Sequence, residues 1–207
     1  IDTGLLDAKS RIRVGTPIVF AQQPIKLAGG QLCSKCLDDR AGVAAILLAM
    51  EQLHVAKDKL KCNVAVLIST QEEVTELGAQ TGAFTVQPEY AIAVDVTDTG
   101  DLPEMKSAMA VELGKGPAVK VMDRSVICTP AVVDALEQAA KDCGVSAQRE
   151  ILLCGGTDTS ALQKARAGVQ AGAVSIPTRY IHSPSELCAV SDVEDAAKLL
   201  AQYALQK

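Results

Sequence analysis

The chain has little aromatic character and almost no histidine. Phe, Trp and Tyr make up 2% of its 207 residues, tryptophan is absent, and only two residues are histidines. A core without large rings must be built from Ala, Val, Ile and Leu. Such small side chains let helices approach a sheet closely, which favours an α/β protein over a sandwich or barrel packed on aromatics. Basic clusters and aromatic–basic stripes are also missing, and the formal net charge is -5 with a pI of about 5.1. That balance argues against nucleic acid or an anionic membrane as partner. The longest wholly apolar stretch, Val43–Met50, is far too short to span a bilayer. The first residues, Ile1-Asp2-Thr3-Gly4, carry neither a basic region nor a hydrophobic signal segment. These absences lead to the expectation of a soluble, cytoplasmic protein. A phosphate loop is missing as well, because Gly155-Gly156-Thr157-Asp158 lacks the lysine and the spacing of one.

What is present alternates between strand and helix signals. Short extended pieces are predicted at Arg11–Val14, Pro17–Phe20 and Ile25–Leu27, punctuated by glycine and proline. From Ala41 the period becomes helical, with Val43, Leu47, Met50 and Leu53 on one face, to about Lys57. Asn63–Ser69 is a continuous Val/Ile/Leu run, the pattern of a strand buried on both faces. Further strands are predicted at Ala91–Val96, Ala118–Met122, Gln148–Leu153 and Val169–Ile176. A helical or irregular piece is predicted at about Gly78–Phe84, and helices from a Thr129 cap and Pro130 to Cys143, from Thr157 to about Ala167, and over Asp192–Leu205. The order implies a mostly parallel or mixed sheet with helices on both faces. Seven cysteines without regular spacing read as buried free thiols in a reducing compartment, with Cys62, Cys128 and Cys154 in or beside apolar runs.

The chemistry-bearing residues lie at strand ends and tight turns. Glu72-Glu73 closes the run Cys62–Gln71, so one carboxylate can bind a metal while its neighbour serves as general base. A solvated acidic pair at a helix start is the plainer reading. Asp38-Asp39-Arg40 precedes a helix, where Asp39 is either a simple N-cap or part of a metal-binding turn. Asp95 ends an apolar strand, and His182 sits in the loop Thr178–Pro184, whereas His54 lies on a helix margin. Carboxylates and an imidazole offered from several strand ends suit a pair of divalent ions, which can hydrolyse an amide without a covalent nucleophile. Cys33-Ser34-Lys35-Cys36 has the spacing of half a zinc site, and no second CxxC completes it. A thiol nucleophile paired with His182 is a third arrangement, although no cysteine stands in a recognisable activating frame.

Read in order, these segments resemble the tetrahedral, or glutamyl-aminopeptidase-like, family of co-catalytic metal aminopeptidases. The resemblance rests on Leu37-Asp38-Asp39-Arg40-Ala41-Gly42, Gln71-Glu72-Glu73-Val74, Ala93-Val94-Asp95-Val96-Thr97, Gly155-Gly156-Thr157-Asp158 and Ile176–Pro184, with Lys115-Gly116-Pro117 and Asp123-Arg124-Ser125 in support. It implies a zinc-peptidase-like fold holding two divalent metal ions, zinc or cobalt. Asp38 would bridge both ions, with a cis peptide to Asp39. Glu73 and His182 would complete one metal's shell and Asp95 would bind the other. Glu72 would be the general base, and Gly155, Gly156, Thr157 and Asp158 would line the substrate side. The implied substrates are short peptides with a free N-terminus, and the implied assembly is a large homo-oligomer.

Two departures stand out. After Glu73-Val74 the family continues with a glycine and a basic residue before Gly-Ala, and here the text is Thr75-Glu76-Leu77-Gly78-Ala79. The family's N-terminal His-x-Asp segment does not occur in this sequence. The expectation is therefore that residues 1–30 are the remnant of an inserted β assembly domain, and that 31–207 form a catalytic domain incomplete at its N-terminal side. The alternative is an inactive relative acting as an oligomer subunit or peptide-binding scaffold.

Overall fold

The computed structural model describes residues 2–103 and 109–207. In chain order the elements are α1 (Ala8–Arg11), β1 (Ile25–Leu27), β2 (Gln31–Ser34), α2 (Leu37–Val55), α3 (Leu77–Val86), β3 (Tyr90–Thr97) and β4 (Ala118–Met122). They continue with α4 (Pro130–Asp142), β5 (Gln148–Ile151), α5 (Thr159–Gln163), β6 (Gln170–Arg179), β7 (Glu186–Ala189) and α6 (Val190–Leu205). The expected α/β architecture is the one observed: a seven-stranded mixed sheet in the order β1-β2-β7-β6-β4-β5, with β3 paired to β6.

Strand β6 organises the sheet because its residues are small and buried on both faces. Along one edge it pairs in parallel with all of β3, from Tyr90↔Gln170 to Thr97↔Pro177. It also pairs antiparallel with β4 at Ala118↔Ser175 and with β7 at Thr178↔Cys188. One face carries Val119, Val174 and Ile176 into the main core with Leu136 of α4 and Leu199 of α6. The low aromatic content shows in how closely α4 lies on β6: a Cβ on Gly172 would come 2.7 Å from Val132 Cγ1. Alternate residues turn to the other face, where α5 lies against β3 and β6, and α3 against α5.

Several expectations are corrected. Residues 11–14 and 17–20 form no strands, and Arg11 ends the short α1 instead. Strands β2 and β7, which pair with each other, are additional to those predicted. The helix from Thr157 shortens to α5, and Thr129 holds the N-cap position of α4 without capping it through its side chain. Its hydroxyl instead accepts the Ala171 N–H at 3.1 Å, joining the helix start to β6.

The largest correction concerns Asn63–Ser69. It takes no ladder partner among the described residues, and Val64, Val66, Leu67 and Ile68 are 36–52% exposed. Periodicity marks a segment suited to burial on both faces, and burial requires neighbours on both. Here the run borders a cleft of about 1310 Å³, whose other walls include Met50 and Leu53 of α2 and Ile92 of β3. Among the described residues the edge of β3 away from β6 is also unpaired.

The thiol expectation is corrected in part. All seven cysteines are free and Cys128 and Cys188 are buried, but Cys36, Cys62 and Cys154 are exposed.

Candidate metal centre

Asp38 and Asp39 lie in the first turn of α2 with non-helical backbone angles, so the regular helix begins only after them. The peptide between them is cis, as the resemblance implies. Asp39 Oδ1 accepts the Gly42 N–H at 3.0 Å, and a Cβ at Gly42 would sit 2.3 Å from that oxygen. A side chain there would displace the Asp39 carboxylate, so glycine leaves Asp39 room to turn back onto the helix start. Asp39 is indeed a helix-start acceptor, and Asp38 is thereby directed elsewhere.

His182 reaches the same place from the loop between β6 and β7, with a left-handed φ of 62°. Its Nε2 is 3.0 Å from Asp38 Oδ2 and 3.1 Å from Glu73 Oε1. One donor atom from each of Asp38, Glu73 and His182 lies within 4.8 Å of the others. The imidazole is thus committed to two carboxylates, which leaves the thiol arrangement without support. Cys33 and Cys36 do not join this group.

A carboxylate that sequence reading missed holds the arrangement. Glu186, 3% exposed on β7, accepts the Asp38 N–H through Oε2 at 3.1 Å and the His182 N–H through Oε1 at 3.0 Å. It binds the backbones of two candidate ligands, a role with no motif of its own. The only sequence signal was an acidic residue in a buried strand two positions beyond Pro184.

Asp38, Asp39, Glu72, Glu73, Asp95 and Asp158 all line the large cleft. Burial first, and neighbouring carboxylates after it, push Asp38 up to about 6 and Glu72 to about 7. Burial likewise pushes Asp39 to about 8, against the lowering effect of the Gly42 N–H. Asp95 is raised well above its ordinary value by burial and by the charges of Asp39 and Glu72. Asp95 stands outside the three-donor group but close enough to these carboxylates to share their electrostatics. Among the described residues no lysine or arginine forms an ion pair with any of these six carboxylates. A crowd of carboxylates without a cation fits a divalent ion, and the donor set of oxygens plus one imidazole suits zinc-type chemistry.

Of the predicted substrate-side residues, only Asp158 reaches the cleft, and its Oδ2 accepts the Ser69 hydroxyl at 2.5 Å. Thr157 is buried, and Gly155 and Gly156 lie against the Asp123–Val126 turn. The departure at Thr75-Glu76 also has a structural reading. Both residues take left-handed angles, φ 78° and 54°, so the turn is made without glycine. Glu76 Oε2 then accepts from Ser160 Oγ at 2.5 Å and Ala161 N–H at 3.0 Å, fixing the start of α5 beside Asp158.

The chain is similar to known aminopeptidases in sequence and in fold. A match to the family described as M42 glutamyl aminopeptidase covers residues 1–199. The lysyl aminopeptidase of Pyrococcus furiosus is 34% identical over 188 residues, covering 90% of this chain and 52% of the relative. Among solved structures, an aminopeptidase from the archaeon Desulfurococcus kamchatkensis superposes with a TM-score of 0.85 at 36% identity, over 91% of this chain and 52% of that one. The TET1 peptidase of Pyrococcus horikoshii, described as able to assemble into a tetrahedron or a large octahedral shell, gives a TM-score of 0.74 at 30% identity, over 90% of this chain and 53% of that one. The chain spans about half the length of the curated relatives it matches.

Proposed function

The chain belongs to the family of M42 glutamyl aminopeptidases, and from that premise we propose that it carries most of the catalytic site of a metal-dependent aminopeptidase acting on short peptides. The observation that carries the reading is the convergence of Asp38, Glu73 and His182, with Glu186 binding the backbone of two of them.

Asp38, Glu73 and His182 would hold one divalent ion, and Asp38 and Asp95 a second, with zinc or cobalt as the metals. Such ions supply Lewis acidity and a more acidic bound water. Glu72 is the residue suited to accept the water's proton. In the metal-free chain burial and the nearby Asp158 push it up to about 7, and its place beside the ligand Glu73 is what suits it to act as general base. The protonated Glu72 can then return that proton to the departing amine. Asp39 holds the α2 start, and Asp158, between Ser69 and α5, would line the substrate side of the cleft. Retention of this donor set speaks for metal chemistry rather than an inert scaffold.

The reading extends to the rest of the protein. Residues 31–207 act as a catalytic domain to be completed by further polypeptide, and residues 1–30 belong to the connection with an assembly domain. The β3 edge and the Asn63–Ser69 run, both without a strand partner among the described residues, support completion by further polypeptide, since both are apolar and flank one cleft. A homo-oligomer and a cytoplasmic setting complete the proposal.

The test is turnover of a panel of aminoacyl substrates by the purified chain, alone and joined to the upstream portion typical of its relatives, with zinc or cobalt. The expected result is activity that a chelator abolishes and that Glu72→Gln removes without releasing metal. Metal-independent turnover, or full activity in Glu72→Gln, would overturn the assignment.

A further inference from the structure

A second group of charges lies buried behind the site, and the chemistry above makes no use of it. Lys120, Glu150 and Asp123 are 0%, 0% and 2% exposed. Lys120 Nζ is ion-paired with Glu150 Oε1 and lies 3.8 Å from Asp123 Oδ2.

Strand register places this group on the side of the sheet that bears the candidate site. Ser175 of β6 is level with Asp95 on one side and with Ala118 on the other. Side chains two residues apart share a face, so Asp95, Thr97, Ser175, Ala118 and Lys120 belong to one face. Thr97, two residues after Asp95, donates its hydroxyl to Glu150 Oε1 at 2.8 Å.

In the other direction the group reaches the loop that ends in Asp158. Asp123 Oδ1 accepts from Ser125 N–H, Ser125 Oγ and Val126 N–H at 2.7, 2.8 and 3.0 Å. Asp123 Oδ2 accepts the Thr157 hydroxyl at 3.4 Å. The turn so formed donates Arg124 N–H to Gly155 O at 3.2 Å, and Ser125 Oγ would meet a Cβ on Gly156 at 2.8 Å. One ammonium group therefore stands where the strand bearing Asp95 and the loop bearing Asp158 are joined.

Stability alone is a poor reason for such a pair. Burying ions costs desolvation, and well-packed apolar residues often serve as well or better. Among the described residues, moreover, Glu150 Oε2 and Ser175 Oγ are buried without partners. What the ions supply that apolar residues lack is direction. We infer that Lys120 is a positioning residue, whose buried contacts with Glu150 and Asp123 hold the Gly155–Asp158 loop in register with the Asp95 end of β3. The relevance to catalysis rests on the proposed function, and the positioning itself does not.

The experiment is hydrogen exchange on the metal-free chain, read at single amides, for wild type and the double variant Lys120→Met/Glu150→Leu. The double variant removes both members of the Lys120–Glu150 pair together, and the remaining Asp123 carboxylate keeps its donors from Ser125 and Val126. The expected result is exchange at least about tenfold faster at Arg124, Ser125 and Val126, with the β3–β6 ladder amides unchanged; a tenfold change equals about 1.4 kcal/mol of opening free energy. Asp123→Asn, which keeps oxygen and hydrogen-bonding capacity but removes the charge facing Lys120, is expected to loosen the same three amides, and it serves if the double variant does not fold. Wild-type exchange at these amides, or acceleration spread evenly over β3, β4 and β6, would overturn the inference. Because neither metal nor peptide is added, failure of the metal reading would not produce either result.

Discussion

The two edges of β3 have opposite fates. One edge pairs with β6 along its whole length, under a core closed by α2, α4 and α6. The other faces the cleft, across which the equally apolar Asn63–Ser69 run lies without a ladder partner. Apolar character does not separate the two sides, because both β6 and the Asn63–Ser69 run are mostly apolar. The difference is whether a neighbouring strand is present to accept the backbone groups and cover the side chains. The candidate site lies at this divide: Asp95 comes from the paired strand, and Glu72 and Glu73 follow the unpaired run.

Substitutions on the two sides should therefore differ most. Leu136→Ala, at a residue 0% exposed beneath the sheet, is expected to cost about 2–5 kcal/mol in chemical denaturation. Leu67→Ala, at a residue 42% exposed in the cleft wall, should stay within about 0.5 kcal/mol. Equal losses would mean that the cleft side is as closed as the other. Next in size is Glu186→Gln, which weakens the carboxylate that holds the Asp38 and His182 backbones. Zinc affinity measured by competition with a chromophoric chelator should fall about 10–100-fold, the usual effect of removing a ligand's supporting contact.

A smaller effect comes from pH. Asp38, Asp39 and Glu72 have folded-state proton affinities above their unfolded ones, near 6, 8 and 7. Between about pH 4 and 8 the native state thus binds more protons than the unfolded chain, and stability falls as pH rises through that window. Without metal, the thermal midpoint at pH 8 should lie below that at pH 5 by at least about 2–4 °C, the shift about 1 kcal/mol produces in a chain of this size. Saturating zinc should reduce the gap, since bound cations offset the carboxylate repulsion. A midpoint that rises with pH in the metal-free protein would contradict the crowded-carboxylate account.

The sequence was most legible where local and tertiary signals agree. Pro130 at the start of α4, Gly144 just beyond its end and the apolar runs of β3 and β6 each have a local physical cause, and those elements stand close to where they were expected. The residues Asp38, Glu73 and His182 were legible because several short motifs occur in order. Asn63–Ser69 was misread because periodicity reports suitability for burial and carries no information on whether a partner strand is in place. Glu186 and the Lys120–Glu150 pair were missed for a different reason. Their roles come from partners 148 and 30 positions away along the chain, and a lone acid or lysine in an apolar strand has no local pattern that reveals them.

The most direct test of the account is calorimetric titration of zinc into the metal-free chain and into Asp38→Asn, His182→Ala and Glu72→Gln. The account predicts binding by the wild type, retained in Glu72→Gln and at least about tenfold weaker in the two ligand variants, as expected when a first donor is removed. Equal affinity in all four proteins, or no binding by the wild type, would contradict the claim that Asp38, Glu73 and His182 form a metal centre.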